Sequence, residues 1–169
     1  MPLGNASLRR RCHKALEHIS PPYPFSLSSF CRQVAERRGR PLHLHPLPQP
    51  AAVAGACGLW LATDAGDHIF FEQRTTRVHQ EHIVLHEIGH MLFDHYALAP
   101  DSGVPAALLP DLDPRVVRQL LARTNYTSRQ EREAELLASM IRTGEHHADA
   151  QQPRDALDRI RAALGVRPV

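Results

Sequence analysis

Residues 86–90 read His86-Glu87-Ile88-Gly89-His90, an H-E-x-x-H pattern with two imidazoles four positions apart. On an α-helix that spacing stacks both rings one turn apart on one face, where they can grip a single ion. Glu87 is displaced by about 100° around the helix axis. From there its carboxylate can touch an ion-bound water without entering the coordination sphere. The chemistry open to such a trio is metal-assisted hydrolysis. Zinc lowers the pKa of its water towards neutrality, and the carboxylate takes the proton as that water attacks a peptide carbonyl. The same pattern in a histidine-rich chain can also be a solvated or pH-responsive face.

A catalytic zinc takes three protein ligands, and the best source of the third is Glu131-Arg132-Glu133-Ala134-Glu135-Leu136-Leu137-Ala138. On a helix Glu131, Glu135 and Ala138 share one side, with Ala134 beside them. Small alanines let such a helix approach the metal helix closely enough to deliver a carboxylate. Glu131 is the predicted ligand and Glu133 the second choice, although Glu133 faces the side of Leu136 and Met140. A competing role exists: Ser128-Arg129-Gln130-Glu131 fits a capping box, in which Glu131 would only bond a backbone N–H. Thr127 as the cap would free it.

These residues need elements to hold them. Thr75 or Thr76 can cap a helix over residues 77–95. Val84, Ile88, Met91 and Leu92 form its core stripe, with His79, His82, His86 and His90 roughly opposite, towards a cleft. Gly89 costs such a helix about 1 kcal/mol against alanine, which points to a close approach by another segment or a substrate. Thr127 or Ser128 opens a second helix to about Arg142. Upstream, residues 8–19 read as a helix, and Ser26 or Ser28 caps another running to about Arg38, stopped by Gly39 and Pro41. Residues 42–47 alternate as a strand whose flanking prolines keep it near an edge. Residues 58–62 and 68–72 form a hairpin around the turn 63–67. A long connection over 96–113, helices at 113–123 and 153–164, and a linker over 144–152 complete the chain. The order predicts an α+β fold with a small, largely antiparallel sheet packed against helices and the H-E-x-x-H motif on a central helix.

The 169 residues suffice for one domain. A formal charge of +2 with 22% charged residues gives no general case for nucleic acid. The short basic runs Arg9-Arg10-Arg11 and Arg37-Arg38 read as solvated helix faces. No apolar stretch is long enough to cross a bilayer, and the N-terminus has no apolar run of a secretory leader, so a cytoplasmic chain without a membrane partner is expected. Cys12, Cys31 and Cys57 are widely spaced and odd in number, which predicts free thiols buried as small hydrophobes. Five of the 12 histidines, at positions 79, 82, 86, 90 and 95, crowd into the one segment that carries the motif.

With these residues in view, the chain resembles the ImmA/IrrE family of metallopeptidases, which carry an H-E-[LI]-G-H helix after a small hairpin and then a helix beginning E-x-x-A-[ND]. The resemblance covers residues 26–142, within a zincin-like domain over 1–145 followed by a C-terminal linker and helix over 146–169. It implies Zn2+ held by His86, His90 and Glu131, with Glu87 as the base. Glu135 stands where the family has Asn or Asp and is the implied partner of a ligand histidine. His95 stands where the family often has histidine. The implied activity is a limited, specific cut in a protein, a helix-turn-helix repressor, which relieves repression without direct contact to nucleic acid. Relatives are also described as toxins of toxin–antitoxin pairs, and a non-catalytic zinc-stabilised interaction module is a further alternative. In zincins an extended substrate pairs with an edge strand beside the metal helix, here expected to be His68, Ile69, Phe70, Phe71 and Glu72. Those residues also suit a plain core strand. Tyr126, His95 and Tyr96 are the candidate oxyanion stabilisers. The chain departs from the family in residues 137–142 and in a longer, proline-rich segment over 96–125, which bears on substrate recognition more than on chemistry.

Overall fold

The computed structural model describes residues 4–47, 57–95 and 126–144. Tyr96, the connection over 96–113, the helices expected at 113–123 and 153–164 and most of the linker between 144 and 152 lie outside them.

Local signals set most of the elements. Helix α1 (Asn5–Ala15) starts earlier and stops earlier than its apolar pattern suggested, because Leu16 ends the helix and His18 turns through a left-handed φ of 69°. Helix α2 (Leu27–Arg38) is capped by the Ser26 hydroxyl, which accepts from Ser29 N, and ends at Gly39 with φ 64°. Strands β1 (Leu42–Pro46), β2 (Gly58–Ala62) and β3 (Asp67–Phe71) follow. Helix α3 (Arg77–Leu92) is capped by Thr76, and helix α4 (Ser128–Thr143) by Thr127.

These elements make an α+β domain with a mixed three-stranded sheet of order β1-β3-β2. β2 and β3 form the expected antiparallel hairpin, with Trp60 opposite Ile69. β1 runs parallel to β3, Leu44 opposite Ile69, so half of the strand pairing is parallel and the sheet is not largely antiparallel. β1 reaches its partner through a nonlocal pairing that no turn motif announces. It lies at an edge, where Pro46 costs no ladder bond.

Helix α3 lies between the sheet and α4, and α1 packs against α4 on the far side. Val84, Leu85, Ile88 and Met91 join Trp60 and Ile69 from the sheet, Leu137, Ala138, Met140 and Ile141 from α4, and Cys12 and Leu16 from the N-terminal segment in one core. The close approach anticipated at Gly89 is made by α4: a Cβ there would sit 2.8 Å from Ala134 Cα.

The buried Asp67 pins α2 to the sheet, accepting from Arg38 Nε at 2.8 Å and from the Trp60 indole at 3.0 Å. Arg37 donates to the Ala15 carbonyl at 2.9 Å. Arg38 is therefore structural and not part of a solvated face, while Arg37 stays exposed and bonds the end of α1. On the opposite sheet face His43, His45 and His68 stack, with His45 Nε2 3.0 Å from His68 Nδ1. Cys12 and Cys31 are buried free thiols, as expected, but Cys57 is exposed. Among the described residues no helix is long and apolar enough to cross a membrane.

Candidate metal centre

The centre is built where α3 and α4 touch. Helical phase brings His86 and His90 onto one face of α3, and their Nε2 atoms lie 3.0 Å apart. Across the Gly89–Ala134 contact, Glu131 sits in the first turn of α4. Its carboxylate oxygens lie 3.3 Å from His86 Nε2 and 3.7 Å from His90 Nε2. Among the described residues these three form the one group able to hold a metal, with ligand atoms all within 4.8 Å of one another. Donors about 2.0–2.1 Å from a tetrahedral zinc are about 3.3 Å apart, and the observed separations bracket that value. Two imidazoles and a carboxylate also suit zinc chemically.

Glu131 is free to serve because the capping role falls elsewhere. Thr127 and Gln130 form a reciprocal capping box, with Gln130 N donating to Thr127 Oγ1 at 3.3 Å and Thr127 N to Gln130 Oε1 at 2.9 Å. The competing Ser128–Glu131 box is not formed.

Glu87 lies one position from the ligand face, 6% exposed, under strand β2. The carboxyl accepts from the Trp60 backbone N–H. That N–H faces away from β3, since Cys57 O is the group that meets Glu72 N across the hairpin. Gly58 makes room for the carboxyl: a Cβ there would fall 2.5 Å from Glu87 Oε1. Glu87 Oε2 is buried without a hydrogen-bond partner. Burial, and then the charge of Glu131, push the carboxyl up to about 8.

Tyr126 stacks on the His90 ring at 3.6 Å between centroids and 11° between planes, with its hydroxyl buried and unpartnered. Burial, followed by the charges of Glu87 and Glu131, raises its pKa, so the phenol keeps its proton. Of the candidate oxyanion stabilisers among the described residues, it is the one with a hydroxyl free to donate at the site.

His95 has a different position from the one expected. The helix predicted to reach it stops at Leu92, Asp94 turns left-handed at φ 53°, and His95 folds back so that its N–H reaches His90 O at 2.9 Å. Its Nδ1 lies 3.2 Å from His90 Nδ1, and its Nε2 lies 2.9 Å from Glu133 Oε2. Both ring nitrogens are engaged behind His90, so His95 is not an oxyanion stabiliser here. Glu133 is correspondingly not an alternative ligand; it is 1% exposed and paired with His95, Arg129 and Arg11. Burial would raise its carboxyl, but hydrogen bonds from Arg129 and His95 hold it below the usual range. Burial and the neighbouring His86 and His95 depress His90 to about 3, and burial also lowers His95.

Glu135 Oε2 lies 3.1 Å from His82 Nε2 and 3.4 Å from His86 Nδ1, on the side of the His86 ring away from His90 and Glu131. Burial acts to raise this carboxyl, and the hydrogen bonds from His82 and His86 outweigh it. The substrate strand needs correction too. His68, Ile69, Phe70 and Phe71 lie in β3, paired on both sides, and Glu72 N bonds Cys57 O, so none of this strand offers a free edge. The edge strand beside α3 is β2.

No known family model matches the chain, and neither a curated protein nor a solved structure does.

Three parts of the site escaped the sequence reading. Gly58 starts strand β2 as its sequence suggests, but its missing side chain also admits Glu87. Trp60 acts through its backbone, which no residue type signals. Arg11 belonged to a run read as solvated, but its Nε lies 2.9 Å from Glu133 Oε1. The available hint was helical phase, since Arg11 lies four residues before the buried Ala15 and so flanks the buried side of α1.

Proposed function

We propose that this protein is a zinc-dependent endopeptidase of zincin-like architecture. The observation that carries the reading is a group of three ligand side chains, His86, His90 and Glu131, beside a buried glutamate with an unpartnered oxygen. A structural zinc site is usually closed by four protein ligands and has no use for a base. Three ligands with Glu87 alongside favour hydrolysis over a purely structural role.

His86 and His90 would hold the ion through Nε2 and Glu131 through its carboxylate. When bound, zinc supplies Lewis acidity to carbonyl and water oxygens. Glu87 Oε2 takes a proton from the attacking water and returns it to the leaving amine. A bound dication would favour the ionised form of the Glu87 carboxyl, the form that accepts a proton. Tyr126 donates from its hydroxyl to the developing oxyanion. An extended peptide pairs with the outer edge of β2, which lies beside Glu87, in place of the edge first expected from β3. The substrate is a protein cut at one or a few sites. Its assignment as a helix-turn-helix repressor rests on the family resemblance of the two motifs.

The test uses the purified protein and a purified helix-turn-helix repressor as candidate substrate. Zinc should bind at about one ion per chain, and His90→Ala or Glu131→Ala should abolish that binding. Glu87→Gln should keep both zinc and fold while cleavage is lost. Undiminished cleavage by Glu87→Gln would remove the mechanism.

A further inference from the structure

Behind the metal ligands runs a chain of contacts that the hydrolytic reading does not use. His90 Nδ1 lies 3.2 Å from His95 Nδ1, and His95 Nε2 lies 2.9 Å from Glu133 Oε2. His90, His95 and Glu133 are at most 5% exposed, so water does not fill these positions freely. The other carboxylate oxygen of Glu133 is occupied by Arg129 Nε at 3.0 Å and Arg11 Nε at 2.9 Å.

Each of the two contacts behind His90 needs one proton, and a carboxylate can only accept. The Glu133 end therefore sets the direction of both contacts. His95 must carry its proton on Nε2 to donate to Glu133, which leaves its Nδ1 as a bare acceptor. That acceptor requires the His90 proton on Nδ1, which leaves His90 Nε2 a lone pair. The opposite direction would aim a bare His95 nitrogen at a carboxylate oxygen 2.9 Å away, which is repulsive. His90 Nε2 is the atom that faces Glu131 and His86.

We propose that His95 and Glu133 are positioning residues that hold His90 in its metal-binding tautomer and orientation. Arg129 and, from the N-terminal helix, Arg11 balance the buried charge of Glu133. The inference rests on the reading of His86, His90 and Glu131 as metal ligands. It adds that α1, outside the stretch resembling the family, supports the centre through Arg11. Partners of this kind are typically worth about 10- to 100-fold in metal affinity.

Zinc affinity, measured by chelator competition without substrate, tests the proposal. His95→Phe keeps an aromatic ring but cuts the chain, and Glu133→Gln removes the carboxylate. Each should weaken zinc by about 10- to 100-fold, and the double variant should be no weaker than the worse single one, because both cut the same chain. Strictly additive losses would mean two separate structural effects and would overturn the proposal. Nitrogen-15 NMR of the metal-free wild-type protein requires no variant and covers a His95→Phe chain that fails to fold. It should find the His90 proton on Nδ1; a proton on Nε2 overturns the proposal. If His95→Phe and Glu133→Gln bind zinc as tightly as wild type while His90→Ala does not bind it, the positioning role fails and the metal site stands. If His90→Ala still binds zinc at full affinity, the metal reading itself fails, and the proposal with it.

Discussion

Glu87 is asked to act as a base from a position where, without a cation, its carboxyl is pushed up to about 8 from 4.5. A folded-state value above the unfolded one means that the native chain binds more protons between those two pH values. The stabilisation is fully present below pH 4.5 and is lost as pH rises through about 8. His90 runs the other way: its folded value of about 3 against 6.5 contributes stability at higher pH that disappears as pH falls through 3. Comparison with Glu87→Gln cancels the histidine and isolates the carboxyl. In metal-free protein, the stability of wild type relative to Glu87→Gln should decline between pH 4.5 and 8, by at most about 1.4 kcal/mol per pH unit. Urea denaturation at several pH values measures it, and a constant difference would show that Glu87 ionises as freely as in the unfolded chain.

On the proposed reading, two glycines separate holding a metal from using it, and both act between elements. A Cβ at Gly89 would meet the α4 backbone, 2.8 Å from Ala134 Cα and 3.0 Å from its carbonyl oxygen. Gly89→Ala must push α4 outward and carry Glu131 with it. Overpacking costs about 1–3 kcal/mol, of which the better helix former returns about 1 kcal/mol. The expected result is a lower unfolding midpoint together with weaker zinc binding. A Cβ at Gly58 would instead meet Glu87 Oε1 and Ile83 Cγ2, neither of them a ligand. Gly58→Ala should keep zinc affinity and lose cleavage; the reverse pattern in zinc titration and peptide assay would contradict this division of labour. How much of this was readable followed the range of the interaction. The caps at Ser26, Thr76 and Gly39, the β2–β3 hairpin and the helical phase of His86 and His90 are local, and their residue types declare them. The pairing of β1 with β3 is not local, so nothing in the β3 residues announces that the strand lies at the centre of the sheet. His95 was hidden by the left-handed turn at Asp94, an aspartate with nothing in sequence to single it out from other helix-end residues.

At the scale of the whole molecule, the N-terminal segment belongs to the domain even though the family-like stretch starts at residue 26. Cys12, Ala15, Leu16 and Ile19 sit in the same core as Ile88 and Leu137. Leu16→Ala, at a site 7% exposed, should destabilise the protein by about 2–5 kcal/mol, and a loss near zero would detach α1 from the core. An ion held by α3 and α4 together should act on the same global equilibrium, because the unfolded chain cannot keep His86, His90 and Glu131 within reach of one another. Ligand linkage then stabilises the native state by about 4 kcal/mol at a thousandfold excess over the dissociation constant. Zinc should raise the unfolding temperature of wild type and, to the same extent, of Glu87→Gln, since Glu87 is not a ligand. A chelator should reverse the shift, and His86→Ala/His90→Ala should show none. A shift that survives that double substitution would move the ion elsewhere, and the stacked His43, His45 and His68 on the opposite sheet face would be the first place to look.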